Sequence, residues 1–339
     1  MDDQGRIPLE QVAADMRGPI GAFRNAGEIS FQSVPVATAR ENYVRSCKTN
    51  GLPVVDLPLI YDHLVPVAGG QVRLREYRPT AVDMLPAILF IHGGGWVVGN
   101  LETHDTLCRT LAHESGAAVF AVDYRLAPEH RFPVPLHDCA VALAWLLDQV
   151  AELQIAPDQI AVVGDSAGGN IGAVLANTAA LRPPGFAFKA QALLYPVTDM
   201  RGETASYNRI ASGFPLTAAS MRWFRDQYIP TGHDLSNPLL SPLLAPEISI
   251  APLFLISCGM DPLADEGIDY AAAVARVGGQ VEHHHLPGHA HGLFTSAGIV
   301  TTGRVMTERL STFLAANLCA SQTAIRRRLE GPERSCSSA

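Results

Sequence analysis

Gly164-Asp165-Ser166-Ala167-Gly168-Gly169 is the sharpest chemical signal in the chain. It follows the apolar run IAVV and opens the helix-like stretch AGGNIGAVLANTAAL. In a strand–turn–helix setting, G-x-S-x-G lifts the serine hydroxyl above the strand end, and the glycines leave room for the tight turn. The N–H of Ala167 then opens a helix whose first donors have no partner within it. A chance Gly/Ser turn is the competing reading. The second signal, His92-Gly93-Gly94-Gly95-Trp96, comes directly after AILFI. Three glycines at a strand end let the backbone approach a ligand and turn its N–H groups toward it, as an acyl-transfer oxyanion requires. A phosphate loop is the rival use, but neither G-x-x-x-x-G-K-[ST] nor G-x-G-x-x-G occurs. A bland flexible loop is the other.

A serine nucleophile needs a base, and the base needs an orienting acid, here expected in the order Ser, acid, His. Asp261 comes first after the strand-like PLFLISCG, at the carboxyl end where crevice residues of an open α/β sheet belong. Its competitors are Asp265 and Glu266, better suited to capping or solvating the next helix, and Asp199 after YPVT. Asp261 itself could be an N-cap. Five of the twelve histidines fall between 283 and 291. His289 and His291 can both reach the rim, and spacing does not choose between them. His283, His284 and His285 read as partly solvated strand side chains. A metal site at these histidines is the lesser reading, because no Cys or carboxylate triad accompanies them.

The positioning elements form an α/β pattern. Apolar runs at 87–91, 118–122, 160–164, 190–196 and 252–259 alternate with helix-like segments, which implies a mostly parallel central sheet with helices on both faces. Ahead of them, Leu59 to Val67 and Val72 to Tyr77, joined by Ala68-Gly69-Gly70, read as a strand pair. In its second member Val72, Leu74 and Glu76 alternate with Arg73, Arg75 and Tyr77, which suits an exposed antiparallel edge. Residues 1 to about 50 read as helical fragments. Residues 201 to about 246, rich in aromatics and proline, read as an insertion over the sheet, and 320–339 as a frayed tail.

Composition sets limits on function. The 339 residues are 47% hydrophobic and 17% charged, enough apolar material for a sizeable core. Lys plus Arg is 25 against 33 acidic residues, a net charge of −8, and no basic stripe offers counterion-releasing contacts to nucleic acid. The acidic, polar start lacks the pattern of a secretory signal. The longest uncharged stretch, Met84 to Leu101, is broken by clustered glycines, so no membrane role is expected. Six cysteines without CxxC spacing suggest a reducing cytoplasm and neither zinc nor a disulfide framework.

Taken with HGGGW (92–96), DYRLAPEHRFP (123–133), GDSAGGN (164–170), LLYPVTD (193–199), DPLADEG (261–267) and HAHG (289–292), the chain resembles the hormone-sensitive-lipase-like (HSL) family of carboxylesterases. That family belongs to the α/β-hydrolase superfamily, and the motifs occur in its order over about residues 60–318. The elbow is similar to the GDSAG branch. The resemblance implies an α/β-hydrolase fold with a helical cap made of residues 1–50 and 201–245. The catalytic domain would comprise 51–200 and 246–319. It further implies Ser166 as nucleophile, His291 as base, Asp261 as orienting acid, and the N–H groups of Gly94, Gly95 and Ala167 as oxyanion donors. His291 is preferred because the family's histidine precedes Gly and an aromatic. Leu293 stands where Phe is usual, with Phe294 one position later. Arg125, Glu129 and Asp138 are expected as buried supports of the nucleophile loop. The implied activity is hydrolysis of short- to medium-chain esters without metal or organic cofactor, by a monomer or homodimer. An amidase or transacylase would use the same groups, and a small-molecule receptor would use the same fold.

Overall fold

A computed structural model describes residues 6–81 and 84–318. The expected tail at 320–339 lies outside them. The chain enters its sheet through a hairpin, β1 (Leu59–Val67) and β2 (Gly70–Arg78), which turns at Ala68-Gly69 with Gly69 at φ +80°. The other strands are β3 (Leu85–Ile91), β4 (Ala118–Asp123), β5 (Ile155–Asp165), β6 (Ala190–Leu194), β7 (Leu253–Met260) and β8 (Val281–Ala290). Their order is β1-β2-β4-β3-β5-β6-β7-β8, with β3 to β8 parallel.

The hairpin departs from expectation. β2 is not an edge: it pairs antiparallel with β1 on one side and with β4 on the other, so β1 is the edge. Its charges are tolerated inside the sheet because they are matched across strands. Arg75 faces Asp62 in register and donates to it at 2.6 Å, while Arg73 donates to Asp123 at 2.7 Å. Val72, Leu74 and Tyr77 are free to be buried.

The helices are α1 (Arg17–Asn25), α2 (Val36–Asn50), α3 (Leu101–Ser115), α4 (Val134–Asp148), α5 (Ala167–Asn177), α6 (Ala205–Arg209), α7 (Ala218–Tyr228), α8 (Ala264–Arg276) and α9 (Thr301–Leu318). Side chains of a strand alternate between faces, so β3 feeds two cores. Leu89 and Ile91 join Leu136 and Leu143 of α4 and Ile171 of α5 on one side. Ile88 and Phe90 join Leu107 and Leu111 of α3 and Leu310 and Leu314 of α9 on the other. At about 1.5–3 kcal/mol for each fully buried large aliphatic or Phe side chain, these two cores hold the strand ends, and the loops beyond them, in place. Among the described residues no helix is long and apolar enough to cross a membrane.

Asp138 of α4, 1% exposed, accepts from the main-chain N–H of Arg125 at 3.0 Å and from its guanidinium at 2.6 and 2.8 Å. Glu129, expected with them in the interior, instead keeps 54% of its side chain exposed and grips Arg40 of α2. Helix α2 brings that guanidinium from 89 residues upstream, where no local pattern announces it. Asp138→Ala strips Arg125 of its carboxylate and leaves a main-chain N–H unpaired. Urea unfolding of this variant is expected to show a loss of about 3 kcal/mol, as for a broken buried pair.

Candidate active site

Ser166 sits between β5 and α5 at φ +53°, ψ −117°, a conformation costing about 1–3 kcal/mol for a residue with a Cβ. Neighbouring main chain holds it there: its N–H donates to Leu194 O at 2.8 Å, and its carbonyl accepts from Asn170 N at 3.0 Å. The turn is so tight that a Cβ on Gly164 would stand 2.4 Å from Gly168 O. This is the local reason for the G-x-S-x-G spelling.

The three expected partners meet at the strand ends. Ser166 Oγ lies 2.9 Å from His291 Nε2, and His291 Nδ1 lies 2.6 Å from Asp261 Oδ2. Asp261, fully buried just past β7, has its other oxygen filled by the N–H of Leu263 at 2.9 Å. A hydroxyl, imidazole and carboxylate in this line can pass the serine proton to the ring while the acid fixes the ring's tautomer. The competing residues go elsewhere. His289 contacts Asp15 at 3.1 Å, Asp199 pairs with Arg201, and Asp265 accepts from Ser206 N. Glu266, expected to cap or solvate its helix, is fully buried and accepts from Thr198 N at 2.7 Å. Burial pushes its carboxyl well above the usual carboxylate range, against the pull of the Thr198 and Asp199 N–H groups. It ties the loop after β6 to α8. Leu293 and Phe294 are both buried, so the shifted aromatic still packs inside, and Phe294 N donates to Tyr195 OH at 3.3 Å.

Opposite the serine, the loop after β3 needs its glycines. Gly94 and Gly95 have φ of +116° and +57°, and a Cβ on Gly95 would fall 2.2 Å from the Phe224 ring. Both line the same cavity as Ser166 and His291. Ala167 is the first residue of α5, so its N–H has no intrahelical acceptor.

Sequence reasoning missed what pins this loop. Asp165, next to Ser166, accepts the N–H of Gly93 at 2.7 Å, and His104 Nε2 of α3 stands 3.0 Å from the same oxygen. Burial alone would raise the Asp165 carboxyl, but His104 and the Gly93 N–H outweigh it and hold the group below its ordinary range. His92, stacked on Tyr124 at 4.2 Å, is pushed down to about 4 by burial and by His104, which keeps it neutral. Asp165 was visible in the motif as a letter without a role, whereas His104 carries no local signal. Arg40 was missed too. It donates to Val97 O at 2.8 Å and Ala127 O at 2.9 Å, clipping α2 to the glycine loop.

The cavity above Ser166 has a volume of about 500 Å³ and is largely apolar. Met16, Ile20 and Phe23 line it from the N-terminal segment, Tyr43 from α2, and Leu216 and Phe224 from the insertion. Phe31 meets Phe224 at 5.0 Å, joining the two segments. A larger groove of about 700 Å³ between β8 and α9 contains none of the reactive groups, so size alone does not mark the site. His283 and His285 project from β8 and share the hydroxyl of Ser257 at 2.8 and 2.9 Å. Among the described residues no group of three or more His, Cys, Asp or Glu side chains is arranged to hold a metal ion.

The α/β-hydrolase fold family Abhydrolase_3 matches residues 88–295. Carboxylic ester hydrolase LipN of Mycobacterium tuberculosis is 39% identical over 268 residues, covering 76% of this chain and 70% of that protein. Ethyl acetate hydrolase of Pseudomonas putida is 39% identical over 236 residues, 68% of this chain and 74% of its own. The hyperthermophilic esterase of Pyrobaculum calidifontis superposes with a TM-score of 0.81 at 34% identity, covering 90% of this chain and 98% of that structure. With the sheet order, the elbow and these likenesses together, the chain belongs to the hormone-sensitive-lipase-like family of the α/β-hydrolase superfamily.

Proposed function

We propose that this chain is a serine carboxylesterase that hydrolyses short- to medium-chain carboxylic esters through an acyl-enzyme. The observation that carries the reading is the continuous line from Asp261 through His291 to Ser166 Oγ, with contacts of 2.6 and 2.9 Å. His291 takes the Ser166 proton as the oxygen attacks the ester carbonyl. The N–H groups of Gly94, Gly95 and Ala167 hold the resulting oxyanion, and one such donor is worth about 3–4 kcal/mol of barrier. His291 then protonates the departing alcohol. Water, deprotonated by the same ring, releases the acid and restores the serine. Asp261 stabilises the imidazolium without taking its proton. The names of the relatives, an ethyl acetate hydrolase among them, favour ester over amide substrates.

The N-terminal segment to residue 50 and residues 201–245 act in this reading as a cap, since both contribute apolar side chains to the cavity over Ser166. A volume of about 500 Å³ suits one small ester. Among the described residues, Cys47, Cys108, Cys139 and Cys258 are free, buried thiols, which suits a reducing cytoplasm. As partner we assign a small-molecule ester, to a monomer or homodimer. A panel of p-nitrophenyl esters from acetate to dodecanoate tests the substrate class. The kcat/KM maximum is expected between acetate and hexanoate, and a maximum at dodecanoate would reject it.

A further inference from the structure

His289 stands two residues before His291 and takes no part in the triad. It is 9% exposed, its Nδ1 is buried without a partner, and its Nε2 faces Asp15 Oδ1 at 3.1 Å. The ring proton therefore belongs on Nε2, where it is donated to the carboxylate. The other Asp15 oxygen accepts the N–H of Thr302 at 2.8 Å, so a residue from the start of the chain caps α9, nearly three hundred positions away. Burial by itself would raise the Asp15 carboxyl, but the Thr302 N–H and His289 outweigh it and keep the group an ionised acceptor. Beside this pair, Ala13 N donates to Gly288 O at 2.8 Å. The approach is so close that a Cβ on Gly288 would lie 2.9 Å from Ala13 N.

Helix α1 begins two residues after Asp15, and Met16, Pro19, Ile20 and Phe23 line the cavity. Its far end is tied separately, by Arg24 donating to Gly213 O at 3.0 Å and to Ile7 O at 2.9 Å. One wall of the pocket is thus fixed at both ends, and the Asp15 end is attached to the strand that delivers His291. We propose that Asp15 is a specificity-determining positioning residue: by mooring α1 to His289 and α9, it sets the wall against which the longer arm of the ester lies. This inference rests on the esterase reading above. A short ester gains little from α1, whereas a longer one draws binding from Pro19, Ile20 and Phe23, so loosening the mooring penalises only the longer.

The test compares Asp15→Ala and Asp15→Asn with the wild-type chain on two ester pairs. These are p-nitrophenyl hexanoate against acetate, and hexyl against ethyl acetate, with active sites counted by an organophosphate. In Asp15→Ala the long-to-short ratio of kcat/KM is expected to fall at least fivefold in one pair, through KM. Hydrogen exchange of the 16–25 amides is expected to speed up. Asp15→Asn, which keeps an oxygen for Thr302, should show a smaller fall of the same sign, and it carries the test should the alanine variant not fold. A uniform drop across all four esters, with both ratios intact, would make Asp15 a residue of stability alone and overturn the proposal. Should the wild-type chain cleave no ester, the esterase reading falls by itself. Exchange over 16–25 then still decides the mooring, and unchanged rates in Asp15→Ala refute it.

Discussion

Under the proposed mechanism, His291→Ala and Ser166→Ala are each expected to lower kcat on p-nitrophenyl acetate by about 10⁵–10⁶-fold, with the double variant no slower than either single one. The size follows from groups that act as a unit: without the ring the hydroxyl is not deprotonated, and without the hydroxyl the ring has nothing to activate. What survives is the contribution of the backbone donors and of binding, which persists in all three variants. Non-additivity is the sharper part of this expectation. If Ser166 and His291 worked separately, their losses would multiply to some 10¹⁰-fold or more, below any measurable rate. His289→Ala provides the internal contrast. Its ring points at Asp15, 3.1 Å away, and not at Ser166, so its removal is expected to cost less than about tenfold on acetate. Initial rates at protein concentrations set by absorbance, with circular dichroism to check folding, measure all four variants. Loss of activity in His289→Ala equal to that in His291→Ala would reverse the assignment of the base.

The contrast between these two histidines shows how far the sequence was legible. The elbow at Ser166 and the glycine loop at 92–96 could be read because their chemistry is local: a strained turn and a close backbone approach both demand glycine at fixed offsets. The alternating apolar runs gave the parallel sheet for the same reason. Asp261 was placed by its strand end, but spacing left His289 and His291 equivalent, and only resemblance to a family separated them. Their difference lies in what each ring meets, Asp261 in one case and Asp15 in the other, and both partners are distant in sequence. The same distance hid His104 behind Asp165 and Arg40 behind Glu129. β2 was misplaced at the edge because alternating arginines look solvated until Asp62 and Asp123 are seen beside them. Glu266 reads in sequence as capping or solvating its helix because nothing near it announces the Thr198 N–H it accepts.

Gly168→Ala tests whether the two glycine-rich motifs are one device. A Cβ on Gly168 would fall 1.9 Å from Ile91 O, 2.6 Å from Ile91 C and 2.7 Å from His92 O, all of them main-chain atoms. The first turn of α5 therefore touches the end of β3 where the His92–Trp96 loop begins, and no side-chain rotation can relieve the clash. Either α5 or the β3 end must shift by about 1 Å or more. Overpacking usually costs about 1–3 kcal/mol, and a backbone-on-backbone contact belongs at or above the top of that range. Function should suffer separately. Ser166 rides on α5, and Gly94 and Gly95, its oxyanion donors in the proposed mechanism, ride on the loop after β3, so in that reading the shift pulls the nucleophile away from its oxyanion site. A displacement of that size can cost about 100-fold in rate. The expected result is a loss of about 3 kcal/mol or more in urea unfolding, with kcat reduced at least about 100-fold in the fraction that remains folded. Gly202→Ala is the control, because nothing lies within 4 Å of its Cβ position. It should change neither quantity, and a Gly168→Ala variant that behaves like it would separate the elbow from the loop.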